Sequence, residues 1–102
     1  MSRTIGLSPE ALAIVQDVLR AHLPSGARAW IFGSRAIGTA RRYSDLDLAL
    51  GAVGPINEDA LLNIRAALSE SDLPFKVDVL DLAAVDPEFR ALIKPDMVRL
   101  TY

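Results

Sequence analysis

The chain predicts an α/β fold of the mixed, α+β kind, in which a small mixed β-sheet is packed with helices. Two observations predict it. Segments with apolar residues at helical spacing alternate along the chain with short apolar runs bounded by Gly, Pro or Asn. Hydrophobic residues make up 51 % of the 102 positions, enough for a real core and too many for a disordered chain. The length suits one compact domain over residues 1–102.

The elements follow in order. Ser8-Pro9-Glu10 reads as an N-cap, a proline in the first helical position and an early acidic residue. Ala11, Ile14, Val15, Val18, Leu19 and His22 then recur at helical spacing until Pro24 and Gly26 stop the helix. Ala29 to Phe32 reads as a buried strand, a short helical turn follows Gly33-Ser34, and Asp45 to Leu50 alternates as a second strand. Asn57 caps a helix with Leu61, Ile64 and Leu68 inward. Pro74 precedes a strand from Phe75 to Leu80. Asp86-Pro87-Glu88 opens a last helix with Phe89, Leu92 and Ile93 inward, stopped at Pro95, and Met97 to Thr101 forms a final short strand.

Composition narrows the function classes. Without cysteine there are no disulfides and no thiolate metal sites. No apolar run is long enough to cross a bilayer, and Met1-Ser2-Arg3-Thr4 is not followed by the apolar stretch of a signal peptide. A soluble, cytoplasmic protein with no membrane association is the expectation. Eleven Lys and Arg stand against 13 Asp and Glu, a net charge of −2, which argues against binding long nucleic acids through a broad basic surface. Arg35, Arg41 and Arg42 nevertheless form a local cationic cluster.

The chemistry concentrates in WIFGSRAIGTARRYSDLDLAL, residues 30–50. Side chains two apart on a strand share a face, with Cα atoms roughly 6.5–7 Å apart. Asp45 and Asp47 therefore project together, opposite Leu46, Leu48 and Leu50. Two carboxylates at about 4 Å repel by about 4 kcal/mol at an effective dielectric near 20. A hard divalent cation offsets that repulsion, and Mg²⁺ prefers oxygen ligands. The bland alternative is an exposed acidic strand face. Asp78, between two valines, is a candidate third carboxylate, with a salt bridge to an arginine as its alternative. Asp81 reads as a capping or turn residue. Three converging carboxylates fit a site where two metal ions clamp a phosphate. Upstream, Gly33 lets the backbone approach a ligand, Ser34 adds a hydroxyl, and free N–H groups at a helix start attract phosphate; a plain strand-to-helix turn is the alternative. Gly38 tightens the next bend.

Gly33-Ser34, Gly38, Ser44-Asp45-Leu46-Asp47 and Val77-Asp78 together resemble the nucleotidyltransferases of the DNA polymerase β superfamily, and more narrowly the minimal nucleotidyltransferases, or MNT proteins. The resemblance covers nearly the whole chain and implies the nucleotidyltransferase fold. It implies that Gly33 and Ser34 bind the nucleotide triphosphate, joined by neighbouring Arg35, Gly38 and Ser44. It further implies that Asp45, Asp47 and Asp78 are the catalytic and metal-binding residues for Mg²⁺, with two ions. The implied reaction moves a nucleoside monophosphate, most often AMP from ATP, to a hydroxyl. Larger relatives carry a second domain that grips the acceptor, so here the acceptor is expected on another protein, in a hetero-oligomer; a homo-oligomer is also open. Stand-alone members resemble the antitoxin halves of HEPN/MNT toxin–antitoxin pairs, which implies AMPylation of a HEPN toxin. A non-catalytic antitoxin that covers its partner and a nucleotide-binding subunit are the competing readings. His22, Trp30, Phe32, Tyr43 and Tyr102 read as packing, loop or surface residues rather than as chemistry.

Overall fold

Helix α1 (Pro9–His22) begins at the expected cap: the Ser8 hydroxyl oxygen accepts the amide of Ala11, and Pro9 occupies the first turn. The structure, a computed structural model, describes residues 6–102. Residues 1–5, and with them the Met1–Thr4 start, lie outside the described residues. After α1 come β1 (Arg28–Phe32), the short helix α2 (Ser34–Ile37), β2 (Leu46–Gly51), α3 (Glu58–Glu70) and β3 (Val77–Asp81). Helix α4 (Pro87–Ile93), a 3-10 turn (Lys94–Asp96) and β4 (Val98–Leu100) complete the order.

The four strands form one mixed sheet in the order β3-β2-β1-β4. Strand β1 is antiparallel to both β2 and β4, whereas β2 and β3 run parallel, joined by α3 as the crossover helix. Leu46, Leu48 and Leu50 are fully buried on one face, against Val15 and Leu19 of α1 and Ile64 and Leu68 of α3. Each buried leucine is worth about 2 kcal/mol over an exposed one, so these three fix the strand's register. A slip of one residue would drive Asp47 into that core. The opposite face carries a smaller cluster of Phe32, Ala49 and Ile93, with Trp30, Leu80, Leu82 and Met97 packed around it. Beyond that cluster the sheet face is open, and the acidic residues lie there.

Several expectations shift. His22 is exposed, and Leu23, the C-cap, is the residue that turns inward. Strand β2 starts at Leu46, leaving Asp45 just outside the ladder. Strand β3 starts two residues later than expected, at Val77, because its pairing with β2 opens with the amide of Leu46 donating to the carbonyl of Lys76 at 2.9 Å. It runs on to Asp81, the partner of Leu50. In α4 only Ile93 is buried; Leu92 is 73 % exposed, and Phe89 lies half-open with its ring edge-on to Phe32, because this short helix covers just one corner of the sheet. No helix among the described residues is long and apolar enough to cross a membrane.

Candidate active site

Strand β1 ends at Phe32, the register partner of Asp47, and the chain turns at Gly33 with φ 72° and ψ −156°. That backbone is open to glycine and strained for other residues. The space a Cβ would fill at Gly33 is taken by the Asp47 carboxylate oxygen. The missing side chain thus admits an acidic group to the very corner where β1 gives way to α2. Ser34 opens α2, and Gly38 closes it in the left-handed conformation, its amide and that of Thr39 both donating to the Ser34 carbonyl.

Asp47 is half-buried in β2, and the parallel ladder sets Asp78 of β3 directly beside it in register. Asp45 precedes the strand, is exposed, and lies near enough for its charge to act on Asp47. The carboxyl of Asp47 is held above the ordinary aspartate range, first by burial, then by the negative charges of Asp78 and Asp45. The charges of Asp78 and Asp45 therefore both bear on Asp47. They do not close into a cage: among the described residues no three acidic or histidine side chains stand ready to enclose a metal ion. Asp78, 51 % exposed at its side chain, leans 3.5 Å from the ammonium of Lys76, whereas the alternative reading of this residue had it paired with an arginine. An all-oxygen set of this openness suits Mg²⁺, which binds through one or two carboxylates plus substrate phosphates rather than through an all-protein cage.

Arg35 and Ser44, nucleotide contacts that the resemblance implied, both hydrogen-bond to the main chain. Arg35 is only 6 % exposed, and its guanidinium donates to main-chain carbonyls. Ser44 uses its side-chain oxygen to accept the amide of Arg41 at 2.8 Å, closing the turn ahead of Asp45. Arg41, Arg42 and Tyr43 point outward, with the Arg42 guanidinium over the Tyr43 ring. Asp81 is buried, accepting the amides of Ile56 and Ala83, each at 3.0 Å, as a capping residue should. Tyr102 donates its hydroxyl to the Ala27 carbonyl and covers an edge of the core. The role of Phe75, whose ring lies under Arg35, carries no local signal in the sequence.

Three of the concavities on the surface, of about 390, 530 and 370 Å³, are lined by residues other than Gly33, Ser34, Asp45 and Asp47. At the acidic corner Asp45 and Asp78 are exposed and Asp47 is half-buried. Asp78 lines the rim of the 530 Å³ cleft at the β3 edge, together with Lys76 and Arg65.

The model of the "Polymerase beta, Nucleotidyltransferase" family matches residues 15–100. The chain is 42 % identical over 90 residues to the "probable protein adenylyltransferase MntA" of Haemophilus influenzae, covering 88 % of this chain and 78 % of that one. Among solved structures it resembles a toxin–antitoxin crystal structure with AMP-PNP, at a TM-score of 0.73 and 26 % identity, covering 88 % of this chain and 72 % of the other. The fold also matches a structure of tri-AMPylated Shewanella oneidensis HEPN toxin in complex with MNT antitoxin, at a TM-score of 0.66 and 21 % identity over 88 % of this chain and 68 % of that one.

Proposed function

This chain belongs to the polymerase β nucleotidyltransferase family and is a nucleotidyltransferase, and on that premise we propose that it transfers AMP from ATP to a hydroxyl of a partner protein, as the antitoxin of a HEPN toxin. The observation that carries this reading is the pairing of Asp47 with Asp78 across the parallel ladder, beside a glycine turn that has room for the Asp47 carboxylate. The exposure of Asp45 and Asp78 at this corner fits an acceptor supplied by a macromolecule.

In this reading Asp45 and Asp47 hold Mg²⁺, with Asp78 at the edge of the set and two ions in all. When bound, the metal supplies positive charge against the triphosphate and the departing pyrophosphate. The chain's own residues do the rest. The Gly33-Ser34 turn brings backbone and hydroxyl donors against the phosphates, and Gly38 ends the short helix in the left-handed conformation. Asp78 is exposed, its ion pair with the exposed Lys76 is one that solvent weakens, and it is the group that meets the acceptor hydroxyl. It takes the proton as the acceptor oxygen bonds to the α-phosphorus and the bond to pyrophosphate breaks. Holding the two reactants in line supplies much of the rate. Residues 1–102 act as one catalytic domain, and the location is cytoplasmic, which cell fractionation checks.

The test is to incubate the protein with Mg²⁺, α-labelled ATP and the protein encoded by the neighbouring gene. Label on that partner, lost with Asp47→Asn, is the expected outcome. A tight complex that carries no label and is indifferent to Asp47→Asn would establish a covering antitoxin instead.

A further inference from the structure

Asp47 and Asp78 are placed by the sheet, since both lie in the β2–β3 ladder. Asp45 is not; the ladder starts one residue after it. We infer that Arg35 is the positioning residue for Asp45, a buried clamp that fixes the loop leading into the acidic strand. The inference rests on the proposed role of Asp45 in holding Mg²⁺.

The geometry is specific. Nε and Nη2 of Arg35 donate to the Ser44 carbonyl at 3.1 and 2.8 Å, and Nη2 also reaches the Arg42 carbonyl at 3.2 Å and that of Arg41 at 3.4 Å. Nη1 donates to the Gly6 carbonyl at 2.7 Å. The Ser44 carbonyl belongs to the peptide that leads directly into Asp45, so holding it fixes where the Asp45 backbone begins. Because the carbonyls of residues 41, 42 and 44 all turn inward to one guanidinium, the side chains of Arg41, Arg42 and Tyr43 are left facing solvent. The guanidinium also lies 4.0 Å from the ring centre of Phe75, just ahead of the strand that carries Asp78. Arg35 itself follows Ser34 in α2. One side chain thus ties together the glycine turn, the loop before Asp45 and the approach to β3.

A buried cation is a costly way to fill space. The ion pairs among the described residues are Asp17–Arg20 and Lys76–Asp78, so the charge of Arg35 is met by carbonyl dipoles and an aromatic face rather than by a carboxylate. Burial without a counter-charge pushes its pKa down, although the guanidinium remains protonated at any physiological pH. A lysine cannot replace it: a single ammonium lacks the planar fork that spans Gly6 and Ser44 while stacking on Phe75.

The test compares wild type, Arg35→Lys and Leu100→Ala, the last removing core packing on β4, which pairs with β1 alone at the opposite edge of the sheet from β3. Backbone hydrogen exchange is followed over residues 41–46, and Mg²⁺ titration is followed calorimetrically with a non-hydrolysable ATP analogue present. For Arg35→Lys, exchange in the loop is expected to accelerate and the Mg²⁺ half-saturation point to rise, each about tenfold, the size of one lost charge-assisted hydrogen bond. For Leu100→Ala the half-saturation point is expected to stay put. Unchanged loop exchange in Arg35→Lys, unchanged Mg²⁺ uptake, or an equal rise in Leu100→Ala would each overturn the clamp. If Arg35→Lys does not fold, Phe75→Leu, which removes only the ring beneath the guanidinium, decides by the same readings. Wild-type protein that takes up no Mg²⁺ with the analogue would sink the proposed catalysis instead, and loop exchange alone would then decide the clamp.

Discussion

Asp78 and Asp81 sit three residues apart on one strand and meet opposite fates. Asp78 faces the open side of the sheet, half-exposed, with Lys76 as its one ionic partner among the described residues. Asp81 faces the helical side, 6 % exposed, and its two oxygens accept the amides of Ile56 and Ala83. The odd spacing sends them to different faces, and each face sets the role. On the closed face a carboxylate survives only with its oxygens satisfied, so it becomes a staple for the segment leading into α3. On the open face it stays solvated, available to a proton or a cation. The two sides of one strand separate architecture from chemistry.

Asp78→Asn tests that separation most severely. It is expected to lower AMP transfer by about 10²–10⁴-fold, the usual contribution of a general base, with the thermal midpoint little changed. Single-turnover kinetics beside thermal melts read both, and a melt that falls with the activity would erase the distinction. Asp81→Ala is the mirror experiment. It leaves the buried Ile56 amide without a partner and is expected to cost about 2–3 kcal/mol, or roughly 10–20 °C in melting temperature. The residual folded fraction is expected to keep its activity.

Acidity sharpens the comparison further. The Asp47 carboxyl is raised in the folded state by burial and by Asp78 and Asp45. A raised folded pKa means that the native state binds the extra proton, so stability falls as pH rises from about 4, where an unfolded aspartate ionises, through the raised value. In buffer with a chelator, wild type is expected to lose melting temperature across that window, and Asp47→Asn to lose less. A wild-type curve that instead rises there would show that Asp47 is stabilised as an anion. The smallest effect belongs to Lys76→Met, which removes an exposed ion pair with Asp78 and is expected to shift stability by no more than about 0.5 kcal/mol.

Much of this was legible from local patterns. The caps Ser8, Asn57 and Asp86, and the inward stripe Leu61, Ile64 and Leu68, fall where the sequence places them, because caps and helical periodicity are decided within a few residues. Alternation of leucine and aspartate also predicted that β2 would have one oily and one acidic side. Other features depended on packing. Leu92 fits a helical stripe yet faces solvent, since nothing in its own helix says how little sheet α4 covers. Arg35 follows a Gly-Ser turn as a phosphate ligand would, yet it is buried. Its partners lie 6 to 9 residues ahead and 29 behind, joined by a ring in a different segment.

By itself, then, the sequence determined which segments are helix or strand and which carboxylates share a face, because hydrophobic period and capping are short-range properties. Only the tertiary structure decided that Asp47 would stand beside Asp78, that Lys76 rather than an arginine would attend it, and that Arg35 would turn inward to hold the loop. Those outcomes depend on strand register and on carbonyls contributed by distant segments, and both arise only when the sheet closes and one buried cation must find all its acceptors at once.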